Sequence, residues 1–165
     1  MLRLSKKADY ALIAMKHLAI NRDGAVSVSA REIAEQYDIP IELMAKVLQR
    51  LVRSGLLVST QGTRGGYTLR LPAASISVSD VIEAIDGPFS VTACSTENNG
   101  CDQYSKCSVR DPLWQIRERI AAALATVSVA ELAADQIKGD GLRPDAETVS
   151  APVAIMRRAR VAADL

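Results

Sequence analysis

Apolar residues recur over the first twenty positions at Leu4, Ala8, Ala11, Leu12, Met15, Leu18 and Ala19. That is close to the 3.6-residue period of a helix with one buried face. The spacing predicts a first helix over residues 4–20, ended by Asn21, Asp23 and Gly24. The stretch Ser29-Ala30-Arg31-Glu32 has the form of a capping box: a hydroxyl accepts from a first-turn amide and a carboxylate reaches back. It predicts a short helix from Ala30 to about Gln36. Tyr37-Asp38-Ile39-Pro40 reads as a turn. A third helix follows from about Pro40 to Ser54 and stops at Gly55, since proline at a first helical position gives up only an N–H that would have no partner there.

The period then changes. Leu56 to Thr60 reads as a strand, Gln61-Gly62-Thr63-Arg64-Gly65-Gly66 as a glycine-rich turn and Tyr67 to Leu71 as the returning strand, which together predict a hairpin. Ser79 is expected to cap a helix from Asp80 to Asp86, closed by Gly87-Pro88. Residues 90–110 are polar and read as a loop. Asp111-Pro112 is expected to open a long helix over 112–128, with Asp111 as its cap. A short helix near Val129–Ile137 follows, and the tail 138–165 collects Gly, Pro and Asp and reads as flexible. The expectation is a mainly α fold: a winged helix-turn-helix over 1–72 with a small β-hairpin wing, then over 73–137 a helix, a cysteine loop and a long C-terminal dimerisation helix.

The third helix divides into two faces. Met44, Val47, Leu48 and Leu51 point inward, while Glu42, Lys46, Gln49, Arg50 and Arg53 make one polar stripe. A helix fits the major groove, where residues near its start read base edges and basic groups hold phosphate. Glu42, Leu43 and Lys46 are expected at the bases, Arg50 and Arg53 at phosphate, with Gln49 on the same stripe. Arg64 at the hairpin tip is expected at backbone or minor groove, and the glycines let the strand approach closely. The competing reading is a solvated helix face, which the order of the elements and the Gly-rich wing make the weaker one.

Charge supports a polyanionic partner. Residues 1–70 carry 11 Lys/Arg against 6 Asp/Glu, and residues 71–165 carry 9 against 13. A basic front half and acidic rear half suit a protein that meets nucleic acid at one end. Aromatics are 4% of the 165 residues, so the core must be aliphatic and a β-sandwich is disfavoured. The early Arg3, Lys6, Lys7 and Asp9 argue against a secretory leader, and no apolar run is long enough to span a membrane. The expectation is a cytoplasmic protein without a small-molecule substrate. No nucleophile–base set, paired-carboxylate site or dinucleotide fingerprint is present. The hairpin glycines lack the Lys-Ser/Thr of a phosphate loop. His17 reads as a surface or packing residue and Trp114 as a helix–helix contact.

All three cysteines, Cys94, Cys101 and Cys107, fall within 14 residues. Thiolates are soft ligands suited to zinc or iron–sulfur centres, but a zinc ribbon would show paired C-x2-C motifs and four ligands. Three thiolates leave the fourth place to a weaker or exchangeable ligand. Three incidental thiols are the alternative.

The stretches Leu4-Ser5-Lys6-Lys7-Ala8-Asp9-Tyr10-Ala11-Leu12, Gln49-Arg50-Leu51-Val52-Arg53-Ser54-Gly55-Leu56-Leu57 and Gly62-Thr63-Arg64-Gly65-Gly66-Tyr67, with the three-Cys loop, resemble the IscR/NsrR-type winged-helix iron–sulfur transcriptional regulators over residues 1–137. The resemblance implies a homodimer formed through the long helix, here by Leu113, Trp114, Ile116, Ile120, Leu124 and Val127. It implies a [2Fe-2S] or [4Fe-4S] cluster on Cys94, Cys101 and Cys107, whose state sets promoter affinity, and a repressor of cluster-assembly (SUF-type) or stress genes. Members differ in the fourth ligand. One branch places a His three residues after the last Cys, where this chain has Arg110; another uses an N-terminal Asp of the other subunit, matched here by Asp9. Asp9 pairing with Lys6 or a nearby Arg is the alternative. A cluster-free regulator of the same fold, sensing a metabolite or protein partner, is the second reading, and a cluster carrier or redox enzyme the third.

Overall fold

The computed structural model describes residues 4–21, 27–62, 65–91, 102 and 104–134. Helix α1, Lys6–Ile20, starts at Ser5, whose hydroxyl accepts from the Ala8 amide at 3.1 Å. Helix α2, Ala30–Gln36, starts at Ser29, whose hydroxyl accepts from the Glu32 amide at 3.1 Å. Of the expected capping box only this hydroxyl half is made, and the Glu32 side chain stays exposed. Helix α3, Ile41–Arg53, follows a turn in which Asp38 takes a left-handed φ of 52°. The Pro40 carbonyl accepts from the Leu43 and Met44 amides, so the chain itself supplies the cap that proline's side chain does not.

Strands β1, Leu57–Thr60, and β2, Gly66–Leu69, pair antiparallel with Leu57 opposite Leu69 and Thr60 opposite Gly66. The outer edge of β2 is partly covered, because Val28 and Tyr67 exchange backbone hydrogen bonds at 3.1 and 2.9 Å. The hairpin is thus tied to the segment that leads into α2, which sets the wing's position relative to α3.

Helix α4 runs Val78–Asp86 and corrects the expected start at Ser79. The cap is Ser77, in extended backbone, and Asp80 completes a capping box, its amide donating to the Ser77 hydroxyl at 3.1 Å while the Ser77 amide donates to the Asp80 carboxylate at 2.8 Å. Ser79 lies inside the first turn. Helix α5, Arg110–Thr126, also starts earlier than expected. Val109 holds the cap position, and Asp111 instead takes a 2.7 Å ion pair from Arg110 Nε. Pro112 still falls in the first turn, where the lost N–H costs nothing. Val127 lies just past the helix end, and its carbonyl accepts from the Val78 amide at 2.8 Å. This pairing and Val129 N–H to Ile76 O at 2.9 Å bring the end of α5 back to the start of α4. Helix α6 spans Val129–Ala134. The tail 138–165 lies outside the described residues.

The buried residues form one cluster. Ala8, Ala11, Ala14, Met15 and Leu18 of α1 lie at its centre, against Met44, Leu48 and Leu51 of α3, Val81 and Ile85 of α4, and Val129. Three alanines on one face of α1 let neighbouring backbones come close, since the separation of packed helices depends on the side chains at the contact. The core is aliphatic, as the scarcity of aromatics requires. Among the described residues no helix is long and apolar enough to cross a membrane.

Candidate nucleic-acid interface

Met44, Val47, Leu48 and Leu51 of α3 are all buried, as the pattern predicts. Glu42, Lys46, Gln49, Arg50 and Arg53 are exposed, while Leu43 is half-buried on the flank. At 100° per residue Glu42, Lys46, Gln49 and Arg53 centre opposite the buried face. The stripe therefore points away from the core along the helix. The far end of it meets the wing: Gln49, Val52 and Arg53 share a surface depression with Ser29 and Ala30 of the α2 start and with Thr60, Gly66 and Tyr67 of the hairpin. Arg64 lies outside the described residues.

Arg50 has a use the sequence does not disclose. Its Nε donates to the Ala84 carbonyl at 3.0 Å. Within α4 that carbonyl would look to residue 88 for a donor, and Pro88 has none. Arg50 therefore caps the end of α4 and draws its guanidinium to the α4 side of the stripe. Two residues on, the Asp86 carboxylate accepts from both the Ser5 amide (3.2 Å) and hydroxyl (2.6 Å) at the start of α1. The last turn of α4 is held between α3 and the start of α1, and the chain leaves it for the cysteine segment.

His17 is a packing residue, and a polar one. It is only 4% exposed. Asn21 Nδ2 lies 2.8 Å from Nε2 and also donates to the His17 carbonyl, so Nε2 must accept; Nδ1 then carries the proton, 3.3 Å from the Tyr37 hydroxyl. The two rings meet edge to face. Desolvation lowers the His17 pKa, with the Glu32 charge opposing, and burial raises that of Tyr37. The set ties α1 to the α2–α3 turn.

Cys94 and Cys101 lie outside the described residues. Cys107 is half-buried, three residues before Arg110. The Arg110 guanidinium pairs with Asp111, donates to the Tyr104 carbonyl at 3.2 Å and lies over the Tyr104 ring at 4.6 Å. The Asp111 pKa is lowered by its hydrogen bond from Arg110. Asp9 is exposed in the first turn of α1 and makes no ion pair, with Lys6 or otherwise, among the described residues. Among those same residues no three metal-binding side chains cluster.

No residue of the 17-residue α5 is buried. Leu113, Ile120 and Leu124 are half-covered, and Trp114 and Ile116 are 36% and 44% exposed. Trp114 does not pack into this chain's core.

A helix-turn-helix with a hairpin wing and an exposed polar stripe on its third helix defines the class: a DNA-binding transcriptional regulator. Residues 4–135 match the model of the Rrf2 family, described as an iron-dependent transcriptional regulator, and the chain belongs to that family. It is 33% identical over 136 residues to the HTH-type transcriptional regulator IscR of Escherichia coli, covering 82% of each chain. Among solved structures it is similar to CymR of Bacillus subtilis, the global cysteine regulator (26% identity, TM-score 0.66, 82% of this chain and 98% of that one). It is also similar to Staphylococcus aureus CymR (30% identity, TM-score 0.61, 78% and 96%). These relatives regulate transcription and are not enzymes, in line with the lack of a catalytic constellation in the sequence.

Proposed function

We propose that this regulator is a homodimeric repressor whose promoter affinity is set by an iron–sulfur cluster, [2Fe-2S] or [4Fe-4S], controlling iron–sulfur assembly or stress genes. Residues 1–72 grip the DNA, and 73–137 carry the sensor and the dimer contact. The observation that carries the reading is the exposed Asp9 carboxylate, without an ion pair among the described residues, on a chain whose three thiols all lie in one segment of an iron-dependent family. Cys94, Cys101 and Cys107 would hold the cluster with Asp9 of the partner subunit. Three soft thiolates and one hard carboxylate suit iron and leave one exchangeable bond. When bound, the cluster supplies redox-sensitive iron. The chain's own part is mechanical: α4 precedes Cys94 by a short segment, and its last turn is fastened to α3 through Arg50 and to α1 through Ser5. A change in the cysteine segment would thereby bear on the base-reading helix.

Dimerisation is supported by the apolar side chains of α5, none of them buried: Trp114 and Ile116 are exposed, Leu113, Ile120 and Leu124 only half-covered, with exposed Val127 beyond its end. At the DNA, Glu42, Leu43 and Lys46 meet bases, Gln49 lies beside them, and Arg53, Arg50 and Arg64 meet phosphate or groove.

The test is oxygen-free purification with iron and sulfide assay, absorbance and EPR spectra, and sedimentation equilibrium. A brown dimer that loses iron in Cys94→Ala and Asp9→Ala is expected. Colourless, iron-free protein that still binds duplex DNA would refute the sensor. It would favour the second reading, a cluster-free regulator sensing a metabolite or protein partner, toward which the likeness to CymR points.

A further inference from the structure

The first residue of α3 is out of keeping with its helix. Ile41 is 43% exposed, although every other exposed side chain of α3 is polar or charged. Nothing local requires it. A β-branched residue is a poorer helix former than Ala or Glu, and the core takes its contacts from Met44, Val47, Leu48 and Leu51 instead. Arg31, Glu35 and Asp38 border it from α2 and the turn, together with the exposed Pro40 and the buried Ala34 and Ile39, and Glu42 follows it on α3. The exposed apolar spot is therefore small, Ile41 with the ring of Pro40 beside it. A protein partner needs about 800 Å² of surface on each side, far more than this spot gives. It matches a single methyl group.

In the major groove only one base edge offers such a group. Guanine, cytosine and adenine present hydrogen-bond donors and acceptors, and thymine adds the C5 methyl. An aliphatic side chain set against the polar edges would strip water from them without replacing its hydrogen bonds. Set against thymine it buries apolar surface on both sides. Ile41 stands in the first turn of the helix that the class places in the groove, the turn whose side chains reach bases. We infer that Ile41 is a specificity-determining residue that reads a thymine methyl, next to the base read by Glu42. The inference rests on α3 being the base-reading helix.

The experiment uses the full chain. Duplexes are selected from a random-sequence library, and each thymine of the best one is replaced in turn by deoxyuridine, which lacks only the methyl. One thymine per half-site is expected to lose about fourfold in affinity when demethylated, the worth of one buried methyl. In Ile41→Ala the same replacement should change affinity less than about 1.5-fold. Ile41→Val, which keeps the branched methyls, should retain most of the sensitivity. If no thymine methyl matters to the wild type, or if its effect persists undiminished in Ile41→Ala, the inference is wrong while DNA recognition stands. If no duplex is selected at all, the DNA reading and this inference fall together.

Discussion

Replacing Gly66 by Ala tests how the wing is attached. A Cβ there would stand 2.6 Å from the Val28 carbonyl oxygen and 2.8 Å from its carbon, both backbone atoms that no rotamer change can move. An ordinary carbon–oxygen contact needs about 3.3 Å, so the Val28 carbonyl must retreat by about 0.7 Å. That carbonyl accepts from Tyr67 N–H at 2.9 Å, and the return bond, Val28 N–H to Tyr67 O, is 3.1 Å. Loss of two such bonds costs about 2 kcal/mol. The Val28 side chain, 3% exposed, gives up part of its burial, about 1 kcal/mol. Against this, the variant's stiffer unfolded chain returns about 0.7 kcal/mol. The net expectation is destabilisation of about 2 kcal/mol, seen as a urea midpoint about 1 M lower at unchanged slope. Equilibrium unfolding followed by far-ultraviolet circular dichroism measures it. A Gly66→Ala protein within about 0.5 kcal/mol of wild type would show that the Val28–Tyr67 bridge does not hold the wing, and the reasoning would fail.

Two further expectations follow from side-chain geometry. The fold keeps His17 neutral with its pKa below the ordinary 6.5, so below that value the unfolded chain takes up a proton the native state resists; stability is complete above 6.5 and is lost as pH falls from there toward the lowered native value. Unfolding midpoints between pH 7.5 and 5.5 should show this loss flattened in His17→Gln, and parallel losses in both proteins would remove His17 as the cause. At the DNA, Arg53→Ala should lower the slope of log affinity against log salt by about 0.9 per half-site, whereas Arg50→Ala, whose Nε already serves Ala84, should lower it less and reduce stability; equal slopes for Arg53→Ala and wild type would remove that phosphate contact.

Where local periodicity carried the information, the chain alone determined the outcome. The two faces of α3, the hairpin and the short α2 follow from side chains three, four or two residues apart, and each stands where the pattern puts it. Helix starts were less legible. Ser79 is the expected cap; the structure uses Ser77 because from there Asp80 stands three residues on, and because Ile76 and Ser77 are held extended against residues 127–129. What the sequence could not disclose were contacts between residues far apart in it. Ser5 with Asp86, Arg50 with Ala84, and Val28 with Tyr67 join groups of ordinary type at no characteristic spacing, and only the packing of α4 and the hairpin around α1 brings them within hydrogen-bond reach. The same packing decided which apolar residues stay outside. Ile41 and Ile116 are as hydrophobic as Ile33 and Ile85, and they differ in that, among the described residues, the neighbouring elements cover them only in part.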